Sequence, residues 1–362
     1  MKENILITVP NLSAKGGVSV FWNALLQPLK EDNKYSIDTL EIGGHGKNIF
    51  GPLLDQKKFS NSLKKNKPVL SFLNPSLNFR SFFRDAFFAK KLIKSSTPFI
   101  VFFHGWNINF EKKVTNKYKK FFINTFGKAD TIFVLSEDFK SKIIKWGYKG
   151  KIIVETTNID STLLKNFTFD MRKNYLDTSN DINILFLARL LKEKGIFETI
   201  SAFEKISEKY PNVNLFIAGD GEAFSEVEHS VKNNDKIKLL GHIDGEDKVS
   251  LFKKSHIYCL PSYSEGLPTS VLEAMAFGLP VVTTSVGGLR DFFQEGKMGY
   301  FVEEKKSDDI LNKLELLISS KESMKIIGKY NYDYANENLL NTIVAKRIEN
   351  EIDLIIDRKV DK

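Results

Sequence analysis

Glu265 and Glu273 form a Glu-x7-Glu pair in Ser264-Glu265-Gly266-Leu267-Pro268-Thr269-Ser270-Val271-Leu272-Glu273-Ala274-Met275-Ala276. The first lies in a loop that ends in Gly-Leu-Pro, the second about two turns into a predicted helix. Pro268 suits that helix's first turn, where its missing N–H costs nothing. A helix start offers unpaired N–H groups and the positive end of the dipole, a natural seat for phosphate. Two carboxylates beside an anion seat make sense if they face hydroxyls. A sugar nucleotide has both features: a diphosphate in the middle, with a sugar and a ribose at either end.

Upstream, Ala188-Arg189-Leu190-Leu191-Lys192-Glu193-Lys194-Gly195 puts Arg189 at a predicted strand end and Lys194 before a predicted helix. A diphosphate needs converging cations, the planar fork of Arg and the point charge of Lys. The plainer reading is a surface loop with ordinary lysines; the Glu-x7-Glu segment downstream favours the phosphate reading. Gly16-Gly17, after Ala14-Lys15, lets backbone N–H groups come close to an anion, or is only a tight strand–helix turn. His104 follows Val101-Phe102-Phe103 at a strand end, placed either to hydrogen-bond a sugar hydroxyl or to serve the core. His45, His229 and His256 lack such contexts.

The sequence contains neither a full G-x-G-x-x-G nor a P-loop, which removes the main support for dinucleotide and ATP readings. It has no zinc spacing of His and carboxylates and no Asp-x-Asp triplet. Metal-free diphosphate binding by Arg, Lys and helix N-termini is the consistent expectation.

These residues need a frame that gathers strand ends. Short apolar runs alternate with helical patterns. In the first half the runs are Ile5–Val9, Tyr35–Leu40, Pro68–Leu73, Phe99–His104, Thr131–Ser136 and Lys151–Glu155. In the second they are Asn183–Ala188, Asn214–Ala218, Ile237–Leu240, His256–Leu260, Pro280–Thr284 and Gly299–Val302. Such alternation predicts an α/β fold of two Rossmann-like, doubly wound domains with a central cleft between them. The expected domains are residues 1–165 and 166–334, with a C-terminal helix over about 335–362 returning to complete the first. The polar stretch Asn166–Asp181 reads as the linker. Ligands bind at the carboxyl ends of strands in such sheets, where Gly16-Gly17, His104-Gly105, Ser136-Glu137, Arg189, Gly219-Asp220-Gly221 and Gly241-His242 cluster.

The chain of 362 residues is 42% apolar, enough for two ordinary packed cores. Its single cysteine, Cys259, excludes an intramolecular disulfide and a cysteine metal site. The apolar run at the start is too short for a signal peptide, and no run approaches the length of a membrane span; a cytoplasmic protein is expected. The net charge of +8 is uneven. Residues 1–170 hold 27 Lys and Arg against 14 Asp and Glu, and the remainder hold 26 against 31. That asymmetry reflects either a lysine-rich coding bias or a first half that faces an anionic surface. Phe110, Val114, Tyr118, Phe121, Phe122 and Phe126 fall at helical spacing among Lys112, Lys113, Lys117, Lys119 and Lys120. The pattern predicts a core-facing stripe with a solvated lysine face; its rival is a basic face touching anionic lipid, on the inner side of a membrane.

Taken together, these motifs resemble the GT-B-fold retaining glycosyltransferases of family 4, over essentially the whole chain and most strongly from Arg189 to Gly299. The resemblance implies a GT-B fold whose second domain holds a sugar-nucleotide donor. Arg189 and Lys194 would lie on the diphosphate, Glu273 on the ribose hydroxyls and Glu265 on the transferred sugar. The N–H groups of Gly266 and Leu267 would approach phosphate and sugar, with Thr269 and Ser270 opening the helix beside them. The backbone at Gly241-His242-Ile243 would read the nucleobase, and Gly219 would belong to the family's Gly-x-Gly turn. From the first domain, Gly17 and His104 would approach phosphate and sugar. Glu155-Thr156-Thr157-Asn158-Ile159-Asp160 departs from the family's Pro-Asn-Gly-Ile/Val-Asp by lacking the Pro and Gly.

The implied reaction is metal-independent transfer with retention by front-face displacement. The implied donor is a UDP-sugar, with GDP as the rival base. The acceptor would be a glycan or lipid-linked saccharide in bacterial surface polysaccharide or O-antigen synthesis. No cofactor besides the donor substrate and no nucleic-acid partner is expected. Two alternatives stand beside this reading: a sugar-nucleotide epimerase on the same fold, and a non-catalytic basic module binding membrane or nucleic acid.

Overall fold

The computed structural model describes residues 2–14, 16–44 and 50–360, with side chains through Arg358. Lys15 and His45 lie outside the described residues. The chain forms two compact units, residues 1–158 with 341–362, and residues 159–340.

In the first unit the order is β1 (Asn4–Val9), α1 (Gly17–Glu31), β2 (Ser36–Glu41), α2 (Gly51–Asn66), β3 (Leu70–Leu73), β4 (Ser76–Leu77) and α3 (Phe79–Lys94). Then come β5 (Phe99–Phe103), β6 (Gly105–Trp106), α4 (Ile108–Lys113), α5 (Lys119–Ile123), β7 (Thr131–Val134), α6 (Glu137–Trp146) and β8 (Lys151–Val154). Six of the strands form one parallel sheet, β2-β1-β3-β5-β7-β8, and β4 pairs with β6 apart from it. Strands covered by helices on both faces should be apolar throughout. Phe99-Ile100-Val101-Phe102-Phe103 is such a strand, buried at every position.

The second unit runs α7 (Phe169–Thr178), β9 (Ile182–Leu187), α8 (Ile196–Lys209), β10 (Val213–Ala218), α9 (Phe224–Val231), β11 (Ile237–Gly241) and α10 (Gly245–Lys254). It continues with β12 (Ile257–Leu260), α11 (Thr269–Ala276), β13 (Val281–Thr284), α12 (Leu289–Phe292), β14 (Gly299–Val302), α13 (Ser307–Ile318) and α14 (Lys321–Asn338). Its sheet is parallel with the order β11-β10-β9-β12-β13-β14. Helix α15 (Asn341–Val360) belongs to the first unit.

The structure draws the unit boundary at 158/159 and 340/341, against 165/166 and 334/335 from the sequence. The loop after β8 stays with the first unit because its side chains are committed there. Asn158 donates to Phe21 O (3.1 Å), and the buried Glu155 carboxylate receives Arg347 of α15 through Nε (2.9 Å) and Nη2 (2.5 Å).

The segment Asn166–Asp181 is not a free linker. It contains α7, and Arg172, 2% exposed, inserts its guanidinium under the second unit. There it donates to the carbonyls of Phe277 (2.8 Å), Ser255 (2.6 Å) and Phe252 (2.7 Å). These acceptors cap the ends of α10 and α11, where cations are favoured. Burial holds the Arg172 pKa down, to about 10.

Phe110, Val114, Phe122 and Phe126 are buried, so the stripe over residues 110–126 faces the core. A π-helical stretch at Val114–Tyr118 lies between α4 and α5.

Candidate functional site

In the order β11-β10-β9-β12-β13-β14 the winding reverses between β9 and β12, whose strands are directly paired. Doubly wound sheets open a crevice there, beyond the carboxyl ends of the strands. The loop after β9 carries Arg189 and Lys194, and the loop after β12 carries Glu265 and Gly266. Two hydrogen bonds tie the loops together: Glu193 O accepts from Tyr263 N (2.8 Å) and Ser262 Oγ (3.2 Å). That tie brings Lys194 Nζ to 2.6 Å from Glu265 Oε1, with both side chains largely sheltered. The loop is fixed on its other side by Gly288 N, which donates to Gly266 O at 2.7 Å. Gly287 makes that approach at φ +54°, where a Cβ would lie 2.1 Å from Gly266 O.

Helix α11 starts from this loop. Pro268 is its N-cap residue rather than its first helical residue, and its carbonyl accepts from Val271 N at 3.1 Å. The N–H groups of Gly266, Leu267, Thr269 and Ser270 have no acceptor among the described residues. Four donors therefore stand open at a positive helix end. The Ser270 hydroxyl is already engaged, 2.7 Å from the Tyr258 hydroxyl, which donates to Leu187 O at 2.8 Å. The Thr269 hydroxyl has no partner among the described residues. Arg189 is exposed, and its guanidinium has neither a hydrogen bond nor an ion pair among the described residues.

Glu273 lies one turn further along α11 and is 5% exposed. Burial raises its pKa, and the Lys248 ammonium, 2.8 Å away, pulls it back down. Lys248 comes from α10 and has no signature in the sequence; only the packing of α10 beside α11 reveals it. The domain thus holds two lysine–glutamate pairs on either side of an open set of N–H donors.

Gly219 does not offer its N–H, which donates to Gly241 O at 2.7 Å. Its backbone, at φ +138°, passes so close to β9 that a Cβ would sit 1.8 Å from Ala188 O. Its contribution is to hold the three strand-end loops together. His242 is exposed beside Asp244 (3.5 Å), and its backbone N–H has no acceptor among the described residues.

The other two predicted residues, Gly17 and His104, belong to the first unit. Gly17 opens α1 behind the N-cap Gly16, and a Cβ on either would meet nothing within 4 Å. His104 is buried, in ring contact with Phe102 (3.9 Å) and Phe21 (4.8 Å). Burial lowers its pKa to about 3, so the ring is neutral. Its Nε2 lies 3.0 Å from Asn74 Oδ1, while Asn74 Nδ2 donates to Thr8 O at 2.6 Å. The Asn oxygen can only accept, so Nε2 carries the proton and Nδ1 is left as an acceptor. Asn74 is the second functional residue invisible to sequence reasoning.

Residues 168–334 match the family described as Glycosyl transferases group 1. These residues are a Glycosyl transferases group 1 domain. The group 1 domain contains both lysine–glutamate pairs, Arg189 and the whole of α11. An uncharacterized glycosyltransferase of Haemophilus influenzae is 32% identical over 208 residues, 55% of this chain and 56% of that protein. The capsular polysaccharide biosynthesis glycosyltransferase CapM of Staphylococcus aureus is 28% identical over 232 residues, 61% of this chain and 60% of its own length. Each match spans less than two thirds of the relative.

Among solved structures, sucrose-phosphate synthase from Thermosynechococcus elongatus aligns with a TM-score of 0.78 at 15% identity, over 99% of this chain and 100% of that one. Anabaena HepE in complex with UDP-glucose aligns at 0.72 and 17% identity, over 97% and 99%. The fold of the chain is GT-B.

Proposed function

We propose that the protein is a retaining, family 4 glycosyltransferase that moves a sugar from a nucleoside-diphosphate donor to a saccharide acceptor. The observation that carries this reading is the β9/β12 crevice of the group 1 domain, whose loops carry Arg189, with no side-chain partner among the described residues, and four open N–H groups flanked along the chain by two lysine-bound carboxylates. In this assignment Arg189, Lys194 and the start of α11 take the diphosphate. Glu273 accepts from the ribose hydroxyls and Glu265 from the sugar hydroxyls. The backbone at His242 faces the base. Lys194 turns from Glu265 toward phosphate as the donor enters, since a doubly charged diphosphate outcompetes one carboxylate.

Transfer then proceeds on the front face. The acceptor oxygen bonds to the anomeric carbon on the side from which the diphosphate departs, and the bond from that carbon to the phosphate oxygen breaks. The acceptor's proton passes to a departing phosphate oxygen, while Arg189 and Lys194 stabilise the growing negative charge. Neither glutamate is needed as a nucleophile. No metal is invoked, because Arg, Lys and N–H groups supply the positive charge.

UDP is the favoured donor nucleotide, a reading supported by the UDP-glucose that HepE carries. The names of CapM and of the putative teichuronic acid biosynthesis glycosyltransferase TuaC of Bacillus subtilis support an acceptor in bacterial surface polysaccharide synthesis, and we place that acceptor on a lipid carrier. With a lipid-linked acceptor, the basic first half is the side that meets the membrane.

The test is a panel of UDP- and GDP-sugars with soluble and lipid-linked saccharide acceptors. Transfer with retained anomeric configuration is expected. A Glu265→Ala variant that transfers at the wild-type rate contradicts the role of Glu265. Conversion of donor without acceptor would identify an epimerase instead.

A further inference from the structure

Helices α2 and α3 of the first unit pack side by side through the stacked rings of Phe59 and Phe88, 4.4 Å apart. Their outer surface has an unusual make-up. Between residues 51 and 94 the chain has ten Lys and Arg and two acids, Asp55 and Asp85. Both acids are buried, Asp85 against Arg84 at 2.8 Å, so neither carboxylate reaches solvent beside the exposed lysines of the two helices. Large apolar side chains nevertheless stand in water on the same helices: Leu53 is 66% exposed, and Leu54 and Phe87 are 47% exposed. A groove of about 430 Å³ runs between the helices, lined by Leu53, Gln56, Phe87, Lys90, Lys91 and Lys94. Lys91 is held inside by Gln56 O (2.7 Å) and Ser60 Oγ (2.6 Å), whereas Lys90 and Lys94 are exposed at the rim. Lys90 lies 5.2 Å from the Phe87 ring centroid, covering the apolar floor with its stem.

We propose that this α2–α3 face is a docking surface for an anionic lipid bilayer. Exposed Leu and Phe beside a one-sign ring of lysines is the arrangement that inserts apolar groups at the headgroup boundary while ammonium groups meet lipid phosphate. Charge decides among occupants. A symmetric pairing with a second copy would set cations against cations. The stripe over residues 110–126 offers less of such a face, because Phe110, Val114, Phe122 and Phe126 are buried and Tyr118 and Phe121 half-buried. The proposal deepens, and for its purpose rests on, the reading of a lipid-linked acceptor, but the surface can be tested without any turnover.

The experiment is co-sedimentation of the full chain with vesicles of phosphatidylcholine alone or with phosphatidylglycerol, with sugar transfer to a soluble acceptor measured on the same preparations. Binding is expected only to the anionic vesicles, and salt should weaken it. Lys57→Glu/Lys90→Glu/Lys94→Glu should lower it about 100-fold, at about fivefold per lysine. Leu53→Ser/Phe87→Ser should lower it several-fold while keeping the salt dependence. The matched reversal Lys173→Glu/Lys232→Glu/Lys254→Glu, on the group 1 domain, should leave it within about twofold. Thermal unfolding of each variant shows that it folds.

Three results would overturn the proposal: equal binding to neutral vesicles, equal loss in the matched reversal, or self-association or RNA binding abolished by the α2–α3 variants without vesicle binding. Vesicle binding without transfer to any acceptor would sink the glycosyltransferase reading and leave the docking face standing. Transfer without vesicle binding would do the reverse.

Discussion

In the first unit the winding reverses between β1 and β3, and in the group 1 domain between β9 and β12; the side chains gathered at the two places differ in kind. The β9/β12 crevice is charged, with Lys194–Glu265, Lys248–Glu273 and Arg189, unpaired among the described residues. The β1/β3 position is neutral: Thr8, Asn74 and His104 form a hydrogen-bonded chain backed by Phe21 and Phe102. One sheet end suits phosphate and the hydroxyls near it, the other uncharged hydroxyls. Similar architecture therefore divides the chemistry, because strand winding fixes where a ligand sits and the local side chains fix what it is.

The sharpest way to break this contrast is Arg189→Ala. The guanidinium has no partner among the described residues, so the fold should be unchanged. Transfer should fall by about 10²- to 10³-fold, the usual loss when a donor to the developing anion is removed. A loss in stability instead would show Arg189 to be structural.

Lys248→Met probes the deeper pair. Removing one partner of a buried pair leaves Glu273 uncompensated and should cost about 3 kcal/mol of stability at neutral pH. The sign with pH follows from linkage. Folding raises the Glu273 pKa, so the stability linked to this group is whole below the unfolded value and is lost as pH rises through the folded one. Without Lys248 the pKa rises further. The deficit in chemical denaturation should therefore be larger at about pH 8 than at about pH 5. Equal deficits would mean that the ion pair is not what Lys248 contributes.

His104→Ala sharpens the neutral side. It should cost about 2 kcal/mol through lost ring contacts, and should slow transfer while leaving nucleotide affinity nearly unchanged. With its pKa lowered to about 3, His104 should add no limb to the pH–rate profile between about pH 5 and 8. A limb near pH 6.5 that vanishes in the variant would contradict the neutral assignment.

The strands were legible because buried parallel strands are continuous apolar runs, and most observed bounds fall within a residue or two of the run limits. The charged crevice was legible because Arg189, Lys194, Glu265 and Glu273 sit at strand ends or in one helix. Lys248 was hidden: in Gly-Glu-Asp-Lys it looks like any solvated lysine, and its partner is 25 residues away. Asn74 was hidden likewise, since its partners come from β1 and the end of β5. Asn166–Asp181 misled because its polar residues mask three anchors, Phe167, Arg172 and Leu176, all buried. Gly219 shows the converse: the glycine motif was legible, but its N–H goes to Gly241 O rather than to a ligand.

The central claim is that the nucleoside diphosphate binds at the β9/β12 crevice of the group 1 domain. Calorimetric titration of UDP into wild type, Arg189→Ala and His104→Ala tests it most directly. The account predicts binding to wild type, about 100-fold weaker binding to Arg189→Ala, and binding to His104→Ala within about twofold of wild type. Equal affinity for wild type and Arg189→Ala, or a loss in His104→Ala as large as that in Arg189→Ala, would contradict it.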